Sequence, residues 1–134
     1  MLRENARQPV TSLAHALSLS RASVHARIAR LERDGVIAGY TIRLGPEHER
    51  RHIRAHVMVK VAPKLARAVE RQLTQMPELM SLHAISGEYD MIAIVEAEGV
   101  AALNDVIDRI GELEGVTDTT SSILLATRMI RDVA

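Results

Sequence analysis

The spacing of apolar positions changes character near residue 50. Leu13, Ala14 and Leu17 fall at i, i+1 and i+4 on one helical face, and Thr11 or Ser12 can cap that short helix. Ser18-Leu19-Ser20 is a three-residue break. Ser20 is a good N-cap for a second helix from Arg21 to about Asp34. Val24, Ile28 and Leu31 form its buried stripe, and Gly35 sits where a C′ glycine ends a helix. Val36-Ile37-Ala38 and Tyr40-Thr41-Ile42-Arg43-Leu44 read as two short strands around Gly39, a small β-wing.

The polar run from Gly45-Pro46 to His52 marks a domain boundary: residues 1–44, a linker at 45–52, and residues 53–134. Beyond it the period becomes two. Ile53, Ala55, Val57, Val59 and Val61 alternate with Arg54, His56, Met58 and Lys60, which predicts a strand with one apolar face. Pro63 breaks it; Leu65, Val69, Leu73 and Met76 then follow at helical spacing up to Pro77. Leu79 to Ser86 predicts a second strand, and Ser86-Gly87-Glu88-Tyr89-Asp90 a turn. Met91-Ile92-Ala93-Ile94-Val95 is apolar on both faces, as expected of a central or interface strand. Gly99 to about Glu112 is helical, Gly115 ends that unit, and Ser121 to Ala126 predicts a last strand. The fold class is α+β. The second half is a ferredoxin-like βαββαβ layout, with two helices on one face of a four-stranded antiparallel sheet. The uncovered face, partly apolar through residues 121–126, predicts self-association.

Composition narrows the function. At 47% hydrophobic and 25% charged, the chain is globular and soluble, with no run long enough for a membrane helix and no signal peptide, so a cytoplasmic location is expected. With no cysteine, disulfides, thiolate metal sites and cysteine nucleophiles are excluded. There is no Phe or Trp and only two Tyr, which argues against stacking platforms for single strands or RNA. Net charge is zero, but residues 1–52 hold nine Arg against five Asp/Glu, and residues 53–134 hold eight Lys/Arg against twelve. A basic first half and an acidic second half suggest two modules with different partners.

Helix, three-residue turn, helix is the geometry that sets a second helix into the major groove of duplex DNA. Ser20, Arg21, Ser23, His25, Ala26, Arg27 and Arg30 are the expected DNA-binding residues. The side opposite Val24 is mostly alanine, so base readout is sparse, carried by Ser23, His25 and Arg30. Arg21 and Arg27 mainly hold phosphates, and DNA bendability supplies the remaining specificity. The alternative is an ordinary helical hairpin with a solvated basic face.

From Leu2 to Thr127 the chain resembles the Lrp/AsnC (leucine-responsive regulatory protein / asparagine regulator) family. The carriers are Leu2 to Arg7, Leu13-Ala14, Leu19-Ser20 and the run Val24 to Thr41, which looks like the family's recognition helix and wing. Ser86-Gly87-Glu88-Tyr89-Asp90 looks like its Gly-x-Tyr/Phe-Asp turn. Gly115-Val116 with Thr119 and Ser121 looks like its Gly-Val…Thr-x-Thr strand, with Ser for the second Thr. The resemblance implies a winged helix-turn-helix, dimers that often assemble into octamers, and amino-acid effectors bound between sensing domains. Family members begin with a further helix carrying Leu-Asp-x-x-Asp. This sequence starts at Met1, so the expectation is a reader whose first helix is largely missing.

The effector residues expected are Gly87, Glu88, Tyr89, Asp90, Thr119 and Ser121. Gly87 permits a tight turn with accessible N–H groups for a carboxylate, Asp90 can accept from an ammonium group, and Thr119 and Ser121 offer hydroxyls. The alternative is a plain turn in which Asp90 satisfies backbone donors. A ligand preferring one assembly would shift the population and change how many DNA readers engage together. No cofactor and no metal is expected: His48, His52 and His56 are spaced i, i+4, i+8 but lie in a loop and a strand. An enzyme is not expected. No Gly-x-Ser-x-Gly elbow is present, and the His-Asn-Tyr-like motif of the related siroheme decarboxylases is replaced by Thr117-Asp118-Thr119-Thr120. A stand-alone ligand-binding and assembly module with an impaired DNA reader is the other alternative.

Overall fold

A computed structural model describes residues 1–131. The described residues form two compact units, one of Met1–Arg43 together with 128–131, the other of Leu44–Thr127.

In the first unit, α1 (Val10–Leu17) and α2 (Arg21–Arg33) enclose a small core. Leu13, Ala14 and Val24 are buried, with Leu2, Val10, Leu19 and Ile28 packed around them. Ser18 closes α1 in the left-handed conformation, and Leu19 N–H donates to Ala14 O at 2.9 Å, which turns the chain sharply into α2. Ser20 caps α2 by accepting from Ser23 N–H at 3.1 Å. Gly35, at φ 73°, follows the helix as expected. Pro9, rather than Thr11 or Ser12, occupies the N-cap position of α1, so that helix starts earlier and without a side-chain cap. Leu31 is 37% exposed and does not complete the buried stripe.

The expected wing strands are not formed. Residues 36–45 contain no strand; Ile37 N–H instead donates to Leu31 O at 3.0 Å, folding the chain back on the end of α2. A two-stranded ribbon is marginal in water without a third strand or an apolar face to pack on. Here Val36 and Ile42 are 71% and 79% exposed.

The second unit opens with a short helix, α3 (Pro46–Glu49), inside the stretch expected to be a linker. Then come β1 (His52–Val61), a 3₁₀ turn at Pro63–Leu65, α4 (Ala66–Thr74), β2 (Leu79–Ala84), β3 (Met91–Glu98), α5 (Val100–Gly111) and β4 (Val116–Ile123). The antiparallel sheet has the order β2-β3-β1-β4, so the doubly apolar β3 is central. Alternation along β1 sends Ala55, Val57, Val59 and Val61 to one face, where they meet Val69 and Leu73 of α4 and Leu103, Val106 and Ile110 of α5. Both helices therefore cover one face and leave the other open. Full burial of each such valine, leucine or isoleucine side chain contributes about 1.5–3 kcal/mol.

The last strand runs five residues earlier than expected and stops three residues sooner. β-Branched Val116, Thr117, Thr119 and Thr120 favour extension. Pairing runs out at Ala55 opposite Ile123, with a final bond from Leu124 N–H to Arg54 O at 2.9 Å. Beyond it Leu125 is 93% exposed. The open face carries Met58, Ile92 and Ile94 as an apolar strip along β1 and β3.

Candidate functional site

All seven residues of the expected DNA face are exposed on the first unit. Ser20 Oγ and Ser23 Oγ lie 2.9 Å apart, so both hydroxyls are engaged at the start of α2. Arg30 pairs with Asp34 at 3.5 Å across one helical turn; both are well exposed, so the pair is weak and yields easily to a phosphate. Arg21, His25 and Arg27 make no ion pair among the described residues. Tyr40 donates to Glu32 at 3.5 Å. Desolvation, then the Glu32 carboxylate, pushes its phenol above the ordinary range.

On the second unit the turn between β2 and β3 is built by main-chain bonds. Ile85 N–H donates to Asp90 O at 3.0 Å and Asp90 N–H donates to Val59 O at 3.0 Å. Gly87 holds φ 122°, a conformation that a side chain would strain, and the space where its Cβ would stand is open. Ser86, Gly87 and Glu88 are exposed. Asp90 Oδ2 accepts from Val61 N–H at 2.9 Å, at the point where the β1–β4 register shifts. This ties the carboxylate to β1 and leaves Oδ1 without a bond among the described residues.

Thr119 and Ser121 stand opposite Val59 and Val57, on the helix-covered face, and Thr119 Oγ1 faces α5 beside Gly111. Tyr89 reaches a different pair. Its hydroxyl is 2.6 Å from Thr120 Oγ1 and donates at 3.5 Å to Asp118 Oδ2. Those two residues oppose Met58 and Lys60 on the open face. Sequence reasoning missed Asp118 and Thr120 because the last strand was started too late; a strand beginning at Val116 puts 118 and 120 on one face.

A second polar feature also escaped it. Arg109 of α5 bonds Glu78, whose main-chain O accepts from Glu96 N–H at 2.9 Å. The Arg109 hydrogen bond, above all, holds the Glu78 carboxyl below its usual range. Along the chain the two lie 31 residues apart, and no local spacing signals the pair. The histidines separate: His48 and His52 have ring centroids 4.9 Å apart, while His56 lies further along β1 opposite Ile94. Among the described residues no group of three or more side chains could hold a metal ion.

Residues 1–38 match the winged helix-turn-helix DNA-binding family, and residues 54–133 match the Lrp/AsnC ligand binding domain. The chain belongs to the Lrp/AsnC family. It is 34% identical to the HTH-type transcriptional regulator LysM of Saccharolobus solfataricus, over 95% of this chain and 88% of that protein. Among solved structures it is similar to a Neisseria meningitidis transcriptional regulator in complex with L-methionine. The TM-score is 0.85 and the identity 26%, over 96% of this chain and 86% of that one. It is also similar to the feast or famine regulatory protein of M. tuberculosis complexed with L-methionine, at TM-score 0.84 and 29% identity over 96% and 88%. This Lrp/AsnC chain is a DNA-binding transcription regulator and not an enzyme. No helix among the described residues is long and apolar enough to cross a membrane.

Proposed function

We propose that residues 1–44 read duplex DNA through the Ser20–Arg30 face of α2. Residues 53–134 bind an amino-acid effector at the Ser86–Asp90 turn, between subunits, in the cytoplasm. The observation that carries the effector reading is the turn itself. Its tip is exposed, Gly87 leaves its N–H groups open to a carboxylate, and Asp90 Oδ1 is available to an ammonium group. The two similar regulators solved with L-methionine support the ligand class.

The open sheet face supports a homodimer. Met58, Ile92 and Ile94 lie side by side there, on the face that α4 and α5 leave open. A second copy would bury this apolar strip. Further contacts between dimers would place the turn at an interface and build an octamer. An effector binding one assembly more tightly shifts the population, about 1.4 kcal/mol for each tenfold preference. The number of DNA readers presented together changes with it.

Size exclusion coupled to light scattering, run with each L-amino acid in turn, tests this. The expected result is a mass of at least two protomers that shifts with one or a few amino acids. A mass that no amino acid moves, with no heat of binding by calorimetry, overturns it. A second reading, a ligand-binding module with an impaired DNA reader, is favoured by the thin core of the first unit, where only Leu13, Ala14 and Val24 are buried among the described residues. A gel shift on DNA upstream of the chain's own gene separates the two.

A further inference from the structure

The turn is fastened to β1 by backbone and by Asp90, but its hold on β4 is a single side chain. In the order β2-β3-β1-β4, β1 stands between β3 and β4. Tyr89 precedes β3, yet its hydroxyl meets Thr120 Oγ1 at 2.6 Å and Asp118 Oδ2 at 3.5 Å on β4. The phenol therefore crosses β1 on the sheet face away from the helices, level with Met58 and Lys60, which oppose Thr120 and Asp118. Asp118 is itself fixed, since its Oδ1 accepts from Thr119 N–H at 2.9 Å. On one side of Tyr89 is the anchored Asp90; on the other is the exposed tip formed by Ser86, Gly87 and Glu88.

We propose that Tyr89 is a positioning residue whose hydroxyl, bonded to Thr120, sets the turn tip in its effector-binding placement and makes occupancy of the turn felt at β4. This rests on the effector reading above. Tyr89 is half-buried but its hydroxyl bond is exposed, so that bond is worth only its net gain over one to water. A net hydrogen bond of this kind is worth about three- to tenfold in an equilibrium constant. If the bond is present only in the binding-competent placement of the tip, that factor appears in the effector affinity and not in the stability of the fold.

The chain supplies its own reporter. Tyr40 and Tyr89 are the only aromatic residues of the Phe, Trp and Tyr class, so Tyr40→Phe leaves Tyr89 as the single fluorophore. The full-length Tyr40→Phe protein is titrated with each L-amino acid while tyrosine emission is followed, alongside calorimetry on the wild type. The expected result is a saturable change in Tyr89 emission at the Kd that calorimetry gives. Tyr89→Phe and Thr120→Val each raise that Kd about three- to tenfold, and the double variant is no worse than either single one, because both remove one bond. Thr120→Ser, which restores the hydroxyl, returns the affinity, and the unliganded melting temperatures stay close to wild type. An unchanged Kd in Tyr89→Phe, or silent emission while calorimetry records binding, overturns the proposal. If the wild type binds no amino acid at all, the effector reading falls first and this proposal with it. If the variants lose melting temperature together with affinity and serine rescues neither, Tyr89 is a structural strut only.

Discussion

Asp90 is placed to do two things at once, and two substitutions separate them. Its Oδ2 takes the Val61 N–H at 2.9 Å, where the β1–β4 register shifts and the ladder offers that donor no regular partner. Val61 itself is 8% exposed, so water is a poor substitute. Asp90→Ala leaves the N–H unpaired and is expected to cost about 1–3 kcal/mol of stability. Asp90→Asn keeps an oxygen in the same place and is expected to cost under about 1 kcal/mol. For the effector the ranking changes. A hydrogen bond to a charged group contributes about 1.5–3 kcal/mol, so losing the negative charge should weaken amino-acid binding about ten- to a hundredfold in both variants. The assay is urea unfolding followed by far-UV circular dichroism, at one fixed protomer concentration because assembly adds to apparent stability. It is paired with calorimetric titration of the effector. The reasoning is refuted if Asp90→Asn destabilises as much as Asp90→Ala, or if Asp90→Asn binds effector as the wild type does.

Three further outcomes follow from the same structure. Gly115 holds φ 101°, and a Cβ there would stand 2.6 Å from Leu65 Cβ and 3.0 Å from Val69 Cγ2; Gly115→Ala should lower stability by about 2–4 kcal/mol in the same urea assay. Glu78, with its pKa lowered chiefly by the Arg109 bond, contributes stability that is present above the unfolded glutamate pKa and lost as pH falls through the lower folded value. Melting temperature against pH should therefore decline on the acid side, and Glu78→Gln should remove that part of the slope. Arg27→Ala should weaken duplex binding evenly across sequences and reduce the log–log salt slope by about 0.9, read by fluorescence anisotropy between low and moderate salt.

What the sequence disclosed depended on how local each determinant is. The break at Ser18–Ser20, the Ser20 cap and the Gly35 stop are written in adjacent residues, and α2 follows them within one position. The alternation from Ile53 to Val61 and the double-faced run from Met91 to Val95 foretold the helix-facing side of β1 and the central place of β3. The wing failed because Tyr40, Ile42 and Leu44 have strand-forming side chains, but the three-residue run Val36–Ala38 folds back on the end of α2 and gives their backbone no partner. β4 was misplaced because Thr117 to Ser122 are all polar and show no apolar alternation; its limits are set by the length of β1, a partner more than 50 residues away. The bridge from Tyr89 to Thr120 and the Glu78–Arg109 pair are each fixed by the sheet order and by helix placement. Neither leaves a mark at any spacing along the chain. The turn was legible as a turn from Gly87 alone, whereas the double duty of Asp90 became visible only with β1 beside it.

The central claim is that one polypeptide reads duplex DNA and answers to an amino acid. Fluorescence anisotropy of a labelled duplex from upstream of the chain's own gene, titrated with the full-length protein across a salt series and with each L-amino acid present or absent, tests it most directly. The account predicts binding that weakens linearly on a log–log salt plot and a midpoint that at least one amino acid shifts by about tenfold or more. Binding that ignores salt, or a midpoint that no amino acid moves, would contradict it.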